Sequence, residues 1–333
     1  MPDSNQPAKK VLVIEPIHAA GEALLQAHPD LDLEVVPEAG EAALVGQVGA
    51  ADAIIVRNSP MSRAVIEAAP RLQIISRHGV GYDNVDLEAA GARGIPVAIT
   101  AKANALSVAE HTLMMMLALA KDAIWYDRSL RQEGFAGRRS HRCVDLAGRR
   151  VLIVGVGRIG RRVAALCQAF GLRVWGADPY LSDAELRARH CEPLRDWHRH
   201  LPEVDILTLH TPRTEETIGI LSADVLAALP AHAIVINCAR GGLLDEDALH
   251  AALTGGRLRA AGIDVFDQEP PPPDHPLLAL DNVLFSPHSA AATKEGMRRM
   301  GLDCAQAVID FFAGELDPGL VVNAEVLAEP AVP

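Results

Sequence analysis

Short, nearly continuous apolar segments alternate with helical patterns along most of this chain of 333 residues. The segments at residues 11–16 and 151–157 carry apolar side chains at successive positions, which is typical of strands buried on both faces of a sheet. Amphipathic patterns such as residues 159–170 lie between such segments. This alternation predicts an α/β fold in which helices cover parallel sheets, and its two series predict two such units.

The predicted strands form one early series and one longer, later series. They cover residues 11–16, 52–57, 72–77 and 95–100, and then residues 151–157, 172–179, 204–210, 233–240, 260–266 and 282–288. The periodic stretch 103–131 predicts one long helix between the series, and a closing helix is predicted at about 292–314. If the extended tail returns to the first series, one domain comprises residues 1–103 plus 292–333 and the other comprises residues 104–291.

Composition and charge exclude several classes of protein. Apolar residues make up 49% of the chain, which is too many for a disordered protein. The 31 basic and 43 acidic residues give a net charge of −12, the wrong sign for general binding to nucleic acid or anionic membranes. The longest apolar run, residues 113–120, is too short to cross a bilayer, and residues 1–10 lack the apolar core of a signal peptide.

Cysteine and histidine usage bears on the cell compartment and on metals. The 5 cysteines are scattered without a CxxC pair, which favours a reduced, cytoplasmic protein over a disulfide framework. His190, Cys191, His198 and His200 lie close together in the sequence, but they lack the paired short spacings of a four-ligand zinc site. We therefore expect no metal and interpret this segment as a polar helix or loop.

The sequence GVGRIG at residues 155–160 follows a predicted strand and opens a predicted helix, which is the context of a dinucleotide-binding fingerprint. Gly155 permits the tight turn, Gly157 lets the backbone approach a pyrophosphate, and Gly160 lets the helix pack closely on the strand. The amino end of that helix offers free N–H groups to the phosphates.

Asp178 ends the next predicted strand, 18 residues after the last glycine of the fingerprint. A carboxylate at this place accepts hydrogen bonds from the adenosine ribose hydroxyls and repels a 2′-phosphate. The sequence therefore predicts NAD rather than NADP as the cofactor. The first series of strands lacks such glycines, so we expect no dinucleotide there.

An arginine, a carboxylate and a histidine follow three strands of the later series: Arg240, Glu269 and His288. Function in a doubly wound sheet lies at the carboxyl ends of its strands. Hydride transfer to a 2-oxo acid needs a cation for the carboxylate and a proton donor for the developing alkoxide. A neighbouring carboxylate stabilises the protonated imidazole.

Each of the three residues also has a plainer interpretation. Arg240 can cap its glycine-rich turn, Glu269 can be a loop charge, and His288 can be a solvated strand-end residue in a chain with 13 histidines. Their coincidence around a nucleotide-binding pattern favours the catalytic interpretation.

Several segments together resemble the D-isomer-specific 2-hydroxyacid dehydrogenase family over nearly the whole chain. They are RHGVGYDNVDLEAA (77–90), GVGRIG (155–160), HTPRTEETIGIL (210–221), NCARGGLLDEDAL (237–249), GIDVFDQEP (262–270) and SPHSAAATKE (286–295). The resemblance is to short forms similar to D-3-phosphoglycerate dehydrogenase and glycerate/hydroxypyruvate reductase, without a regulatory C-terminal domain. It implies a Rossmann NAD-binding domain inserted into a discontinuous, flavodoxin-like substrate domain.

The resemblance also implies roles for individual residues. Arg240 would bind the substrate carboxylate, His288 would be the general acid/base, and Glu269 its partner. The cofactor-lining positions, beyond Gly155, Gly157, Gly160 and Asp178, are implied to be Arg158, Ile159, His210, Thr211, Pro212, Cys238, Ala239, Arg240, Asp264, His288 and Ala290. The substrate-binding positions are implied to be Arg57, Asn58, His78, Gly79, Val80, Gly81 and Asn104.

Two of the substrate positions leave their roles open. His78 stands where many relatives of this family have a small residue, so an altered substrate pocket is expected. Arg57 either meets a second anionic group of the substrate or satisfies carbonyl groups of its own loop.

The resemblance further implies a homodimer joined through the NAD-binding domain. The helix at 103–125 is a candidate for that contact, and burial within its own chain is an equally good interpretation. A second hypothesis for function is an NAD-sensing, corepressor-like regulator of the same fold. Turnover of a 2-oxo acid distinguishes the two.

Overall fold

The computed structural model describes residues 7–140 and 142–327. The chain divides into two compact units, the first comprising residues 1–104 with 292–333 and the second comprising residues 105–291. The strands are β1 Lys9–Ile14, β2 Leu31–Val36, β3 Ala53–Val56, β4 Ile74–Arg77, β5 Val97–Ile99, β6 Arg150–Val154, β7 Arg173–Ala177, β8 Glu192–Pro193, β9 Ile206–Leu209, β10 Ile234–Asn237, β11 Ala260–Ile263 and β12 Val283–Phe285.

Helices follow most of the strands, and several begin with a side-chain cap from serine, threonine or aspartate. They are α1 Ala19–Gln26, α2 Glu41–Val45, α3 Arg63–Glu67, α4 Leu87–Ala92, α5 Ala105–Ala120, α6 Ala123–Glu133, α7 Gly160–Ala169, α8 Asp183–Ala188, α9 Ala223–Ala228, α10 Glu246–Thr254 and α11 Lys294–Ala313. The predicted closing helix is α11, which ends at Gly314 in the left-handed conformation.

The first unit contains a five-stranded parallel sheet in the order β2-β1-β3-β4-β5, the flavodoxin-like arrangement. Its central strands β1 and β3 are buried on both faces, which explains their continuous apolar sequences. Strand β2 was not predicted. It lies at the edge of the sheet and keeps several side chains exposed, so its sequence LDLEVV is not continuously apolar.

The tail after α11 returns to the sheet of the first unit. Val321 forms an antiparallel bridge with Ala98, and the Val322 N–H donates to the Val97 carbonyl at 3.0 Å. The Asn323 side chain accepts from the Val97 N–H at 2.8 Å and donates to the Ile95 carbonyl at 2.9 Å. These contacts cover the free edge of β5.

The second unit contains a seven-stranded parallel sheet in the order β12-β11-β10-β9-β6-β7-β8. This is the Rossmann arrangement, with its topological switch point between β6 and β9. The predicted doubly wound α/β fold is confirmed in both units. Within the second sheet, only β8 lies outside the predicted strands, because it has two residues at the edge.

The single long helix predicted at 103–131 is wrong. The structure has two helices, α5 and α6, separated at Lys121 and Asp122. Asp122 has a left-handed backbone with φ of +46°, and its carboxylate pairs with Arg142 at 3.4 Å and Arg259 at 3.3 Å. Because these partners come from distant segments of the chain, helical periodicity could not reveal the break.

Helix α5 packs one face against the core of the second unit, where Met115 and Met116 are fully buried. Met114 on the same helix is 44% exposed. No helix among the residues described is long and apolar enough to span a membrane.

Candidate active site

The fingerprint loop after β6 has the close contacts that its glycines predict. A Cβ on Gly160 would lie 2.1 Å from the Gly155 carbonyl oxygen, and a Cβ on Gly155 would lie 2.7 Å from the His210 carbonyl. Gly155 also has a φ of +89°. At Gly157 a Cβ would meet no described heavy atom within 4 Å, so the backbone there faces open space. This loop provides room for a ligand group to approach the backbone.

A pocket of about 350 Å³ opens beside this loop at the carboxyl edge of the second sheet. Its lining includes Gly155, Gly157, Asp178, His210, Thr211 and Pro212. The hydroxyl of Thr211 and Nδ1 of His210 are buried without a hydrogen-bond partner among the described residues. Because buried polar groups are normally satisfied, these atoms indicate a polar ligand.

His210 is uncharged in this pocket. Burial lowers the pKa of His210 to about 3. Its Nε2 lies 3.1 Å from the Thr208 hydroxyl.

Asp178 is held at the rim of the same pocket by two backbone N–H groups. Its Oδ2 accepts from Val156 N at 3.0 Å, and its Oδ1 accepts from Tyr180 N at 3.0 Å. The Tyr180 hydroxyl donates to Glu216 at 2.8 Å. Sequence reasoning missed Tyr180 and Glu216, because the contact joins residues 36 apart. The two carboxylates at this rim would repel a phosphate group placed there.

His288 and Glu269 are in direct contact at the carboxyl edge of the second sheet. His288 Nδ1 lies 2.7 Å from Glu269 Oε2, and Glu269 Oε1 accepts from Phe266 N at 3.0 Å. Burial alone would raise the pKa of Glu269, but the hydrogen bonds from His288 and Phe266 outweigh it and hold that pKa below its usual range. The His288 side chain is half exposed.

Asp264 organises the loop that carries His288. Its carbonyl accepts from His288 N at 2.7 Å, and its buried carboxylate accepts from Ser289 N at 2.8 Å and Ala290 N at 3.1 Å. The Ser286 hydroxyl also donates to this carboxylate and lies 2.9 Å from His111 on α5. His111 is a further contact that the sequence did not reveal. These bonds hold His288 in a left-handed conformation with φ of +48°.

Arg240 lies on a turn packed against the Glu269 loop. The Asn237 side chain donates to the Arg240 carbonyl at 2.8 Å, and the Arg240 guanidinium donates to the Ala239 carbonyl at 2.6 Å. The Arg240 charge also contributes to the low pKa of Glu269. Strands β10, β11 and β12 are in register at Asn237, Ile263 and Phe285, which brings the following residues to one edge.

The remaining cofactor candidates lie around this edge with ordinary packing. Cys238, Ala239 and Ala290 are buried, Arg158 is exposed in the fingerprint loop, and Ile159 immediately precedes α7. The Cys238 thiol lies 3.7 Å from the Met115 sulfur, and burial raises its pKa to about 12. Cys238 is therefore a packing residue rather than a reactive thiolate.

In the first unit, the predicted substrate-binding residues lie after the carboxyl ends of β3, β4 and β5. Arg57 and Asn58 follow β3, residues 78–81 follow β4, and Asn104 lies after β5. His78 is only 4% exposed, and burial together with the charges of Arg57 and Arg77 lowers its pKa to about 4. The Asn104 side-chain oxygen is buried without a hydrogen-bond partner among the described residues.

The histidine and cysteine segment at 190–200 packs against aromatic residues. His198 stacks on Trp197, and His200 meets the edge of Trp175 and pairs with Glu203 at 3.2 Å. Within residues 7–140 and 142–327, no group of three or more histidine, cysteine, aspartate or glutamate side chains is arranged to hold a metal ion.

Comparisons with known proteins show which family this chain belongs to. Residues 113–290 match the family model for the D-isomer specific 2-hydroxyacid dehydrogenase, NAD binding domain. The chain is 37% identical over 313 residues to D-3-phosphoglycerate dehydrogenase of Methanocaldococcus jannaschii, covering 94% of this chain and 59% of that protein. It is 36% identical to glyoxylate reductase of Korarchaeum cryptofilum over 96% of this chain and 97% of that protein.

A solved structure of similar shape is the D-lactate dehydrogenase of Aquifex aeolicus complexed with NAD and lactic acid. It superimposes with a TM-score of 0.84 at 27% identity, covering 94% of this chain and 98% of that chain.

Proposed function

Because this chain belongs to the D-isomer specific 2-hydroxyacid dehydrogenase family, we propose that it interconverts a D-2-hydroxy acid and its 2-oxo acid by hydride transfer with NAD. The observation that carries the proposal is the 2.7 Å contact between His288 and Glu269 beside Arg240. Residues 104–291 are proposed as the NAD-binding domain, and residues 1–103 with 292–333 as the substrate domain. The chain spans about 59% of the length of the phosphoglycerate dehydrogenase relative, so its own substrate is part of the proposal.

The residues around the fingerprint fit NAD. The backbone at Gly157 and the amino end of α7 would hold the pyrophosphate, and Asp178 would accept from the ribose hydroxyls. The unpartnered Thr211 hydroxyl would hydrogen-bond the cofactor. When bound, the nicotinamide ring supplies or receives the hydride.

His288 is proposed as the general acid/base. Its Nδ1 is engaged by Glu269, so Nε2 is the nitrogen that gives a proton to the alkoxide oxygen during reduction and takes one from the hydroxyl during oxidation. The ionised Glu269 stabilises the imidazole while it carries both protons. The half-exposed His288 side chain supports its contact with a substrate.

Arg240 is proposed to bind the substrate carboxylate and to polarise the carbonyl oxygen. The planar guanidinium offers two parallel N–H groups that match a carboxylate. In the first unit, the backbone of residues 79–81, together with Asn58, His78 and Asn104, is proposed to bind substrate. Hydroxypyruvate and 3-phosphohydroxypyruvate are the proposed substrate types, with Arg57 facing any second anionic group.

Two features support the proposed assembly and compartment. Ile124, Leu130 and Phe135, on α6 and the 3-10 segment that follows it, are at least 55% exposed, which supports a homodimer through the second unit. All five cysteines are free thiols, which supports a cytoplasmic protein.

The test is oxidation of NADH by the purified protein with hydroxypyruvate, glyoxylate, pyruvate and 3-phosphohydroxypyruvate. At least one acid should be reduced, and His288→Ala should lose at least about a hundredfold in kcat. His200→Ala is the matched control, because His200 also pairs with a glutamate but lies outside the site. NADH binding without reduction of any 2-oxo acid would contradict the proposal and favour an NAD-sensing regulator.

A further inference from the structure

Glu15 is a buried carboxylate at the carboxyl end of β1, and no sequence motif marks it. Only 4% of the residue is exposed, and its φ of +67° lies in the left-handed region that side chains seldom adopt. A buried charge in a strained backbone persists only where several surrounding contacts stabilise it. The contacts of Glu15 therefore indicate what it does.

All of the described hydrogen bonds to the Glu15 carboxylate come from two residues of the loop after β3. Oε1 accepts from Asn58 N at 2.6 Å, Ser59 N at 2.7 Å and the Ser59 hydroxyl at 3.0 Å. Oε2 accepts from the Asn58 side-chain amide at 3.0 Å. One carboxylate thus fixes both the backbone and the side chains of adjacent loop residues.

The residue after Glu15 holds the neighbouring arginine. The Pro16 carbonyl accepts from Arg57 Nη1 at 3.0 Å. On the other side of the loop, the Asn84 side chain donates to the carbonyls of Arg57 at 3.2 Å and Ser59 at 2.8 Å. The loop at 57–59 is therefore fixed from the end of β1 and from the segment after β4.

We propose that Glu15 is a positioning residue for the substrate. It holds the loop at 57–59 and, through Pro16, the Arg57 guanidinium in the orientation that binds the oxo acid. This inference rests on the proposed function, because it assigns a role toward the substrate to the same loop. Glu15 touches no reacting atom and acts through Arg57 and Asn58.

The variant Glu15→Gln tests this role with little change of shape. The glutamine amide nitrogen replaces one acceptor with a donor, which then faces the donor groups of Asn58 or Ser59. The KM for hydroxypyruvate should rise about tenfold or more because the loop loses its geometry. The KM for NADH should stay within about twofold of the wild-type value, because the cofactor residues lie elsewhere.

Amide hydrogen exchange provides a readout that does not depend on activity. The N–H groups of Asn58 and Ser59 donate to Glu15, so their exchange should become at least about tenfold faster in Glu15→Gln. If the wild type reduces no 2-oxo acid, the proposed function fails, while unchanged exchange at these amides separately overturns the positioning role.

Asp52→Asn is the matched control. Asp52 is a buried carboxylate of the same unit that accepts from Lys10 N and Arg71, but it lies at the opposite end of β3. This variant should lower thermal stability and leave the KM for hydroxypyruvate unchanged. An equal rise in KM in both variants would show a general loss of folding and would overturn the proposal.

A double-mutant cycle tests whether Glu15 acts through Arg57. In the Arg57→Ala background, Glu15→Gln should raise the KM for 3-phosphohydroxypyruvate by a smaller factor than in the wild type, since Arg57 is already absent and only the effect through Asn58 remains. Ser59→Ala is a milder variant that removes one donor to Glu15, and it should raise the same KM slightly. Faster exchange with an unchanged KM in Glu15→Gln would contradict a role toward the substrate.

Discussion

Gly241 and Phe266 lie so close together that a Cβ on the glycine would be 1.9 Å from the phenylalanine carbonyl oxygen. The neighbouring Gly242 N–H donates to the Asp267 carboxylate. The turn that follows Arg240 is thus fixed against the loop that carries Glu269. Because Phe266 N also donates to Glu269, one backbone contact links the proposed substrate anchor to the proposed acid/base pair.

Gly241→Ala should therefore reduce catalysis without removing any functional side chain. The added methyl group pushes the two loops apart, and a misplacement of about 1 Å can cost about a hundredfold in kcat/KM. Steady-state kinetics checks this, with NADH binding measured by fluorescence. Gly91→Ala is the control, because a Cβ there meets no described atom within 4 Å and alanine favours helix. Full activity of Gly241→Ala would show that the loops are not rigidly coupled.

Glu269→Gln should move the pH dependence of 2-oxo acid reduction. The low pKa of Glu269 means that the carboxylate stays ionised to unusually low pH, and its charge favours the protonated imidazole. Removing the charge destabilises that protonated form. The pH above which the rate of 2-oxo acid reduction falls should therefore be lower in the variant than in the wild type. The maximal rate should fall less than in His288→Ala. An unchanged pH–rate profile would mean that Glu269 does not tune the histidine.

Arg240→Lys should lower kcat/KM for the 2-oxo acid by about a hundredfold or more, because an ammonium group cannot make the two parallel bonds of a guanidinium. The dissociation constant for NADH should change by less than about threefold. Arg173→Lys, at an exposed position on β7, serves as the control. A matching loss of NADH affinity in Arg240→Lys would assign Arg240 to the cofactor instead.

Asp178→Ala should weaken the binding of NADH and reduce the discrimination against NADPH. Asp178 and Glu216 place two carboxylates at the pocket rim, so removing one reduces repulsion of a 2′-phosphate. The ratio of kcat/KM for NADH to that for NADPH should fall about tenfold or more. Asp145→Ala removes an exposed aspartate paired with Lys121 and should leave this ratio unchanged. A wild-type enzyme that prefers NADPH would contradict the assignment.

His78 should make the fold sensitive to acid. Its pKa is about 4 in the folded protein and about 6.5 when unfolded, so the unfolded state binds more protons between these values. The contribution of His78 to the free energy of unfolding is fully present above the unfolded pKa of about 6.5 and is lost as the pH falls toward the folded pKa of about 4. The free energy of unfolding should drop by about 2 kcal/mol from this residue between about pH 7 and pH 5.

Urea unfolding of the wild type and of His78→Gln at both pH values measures this contribution. The difference in pH dependence between the two proteins isolates His78 from His210, which also has a low pKa. An identical pH dependence of the free energy of unfolding in the two proteins would show that the pKa of His78 is the same in the folded and the unfolded states.

The amino-acid sequence by itself determined the two doubly wound units and the edge at which Arg240, Glu269 and His288 meet. Strands buried on both faces have continuous apolar sequences, and parallel strands place their carboxyl ends at one edge. The glycines at 155–160 predicted the close backbone contacts that the structure shows, because only a missing Cβ permits them. These features depend on local sequence and on a general rule of sheet geometry.

Only the tertiary structure decided the features that rest on distant partners. The helix break at Asp122 depends on Arg142 and Arg259, and the role proposed for Glu15 depends on Asn58 and Ser59, 43 and 44 residues away. Edge strands β2 and β8 escaped prediction because most of their side chains are not buried, so their sequences are not continuously apolar. Side-chain contacts between residues far apart in the chain leave no periodic signal in the sequence. They are determined by how the folded chain packs.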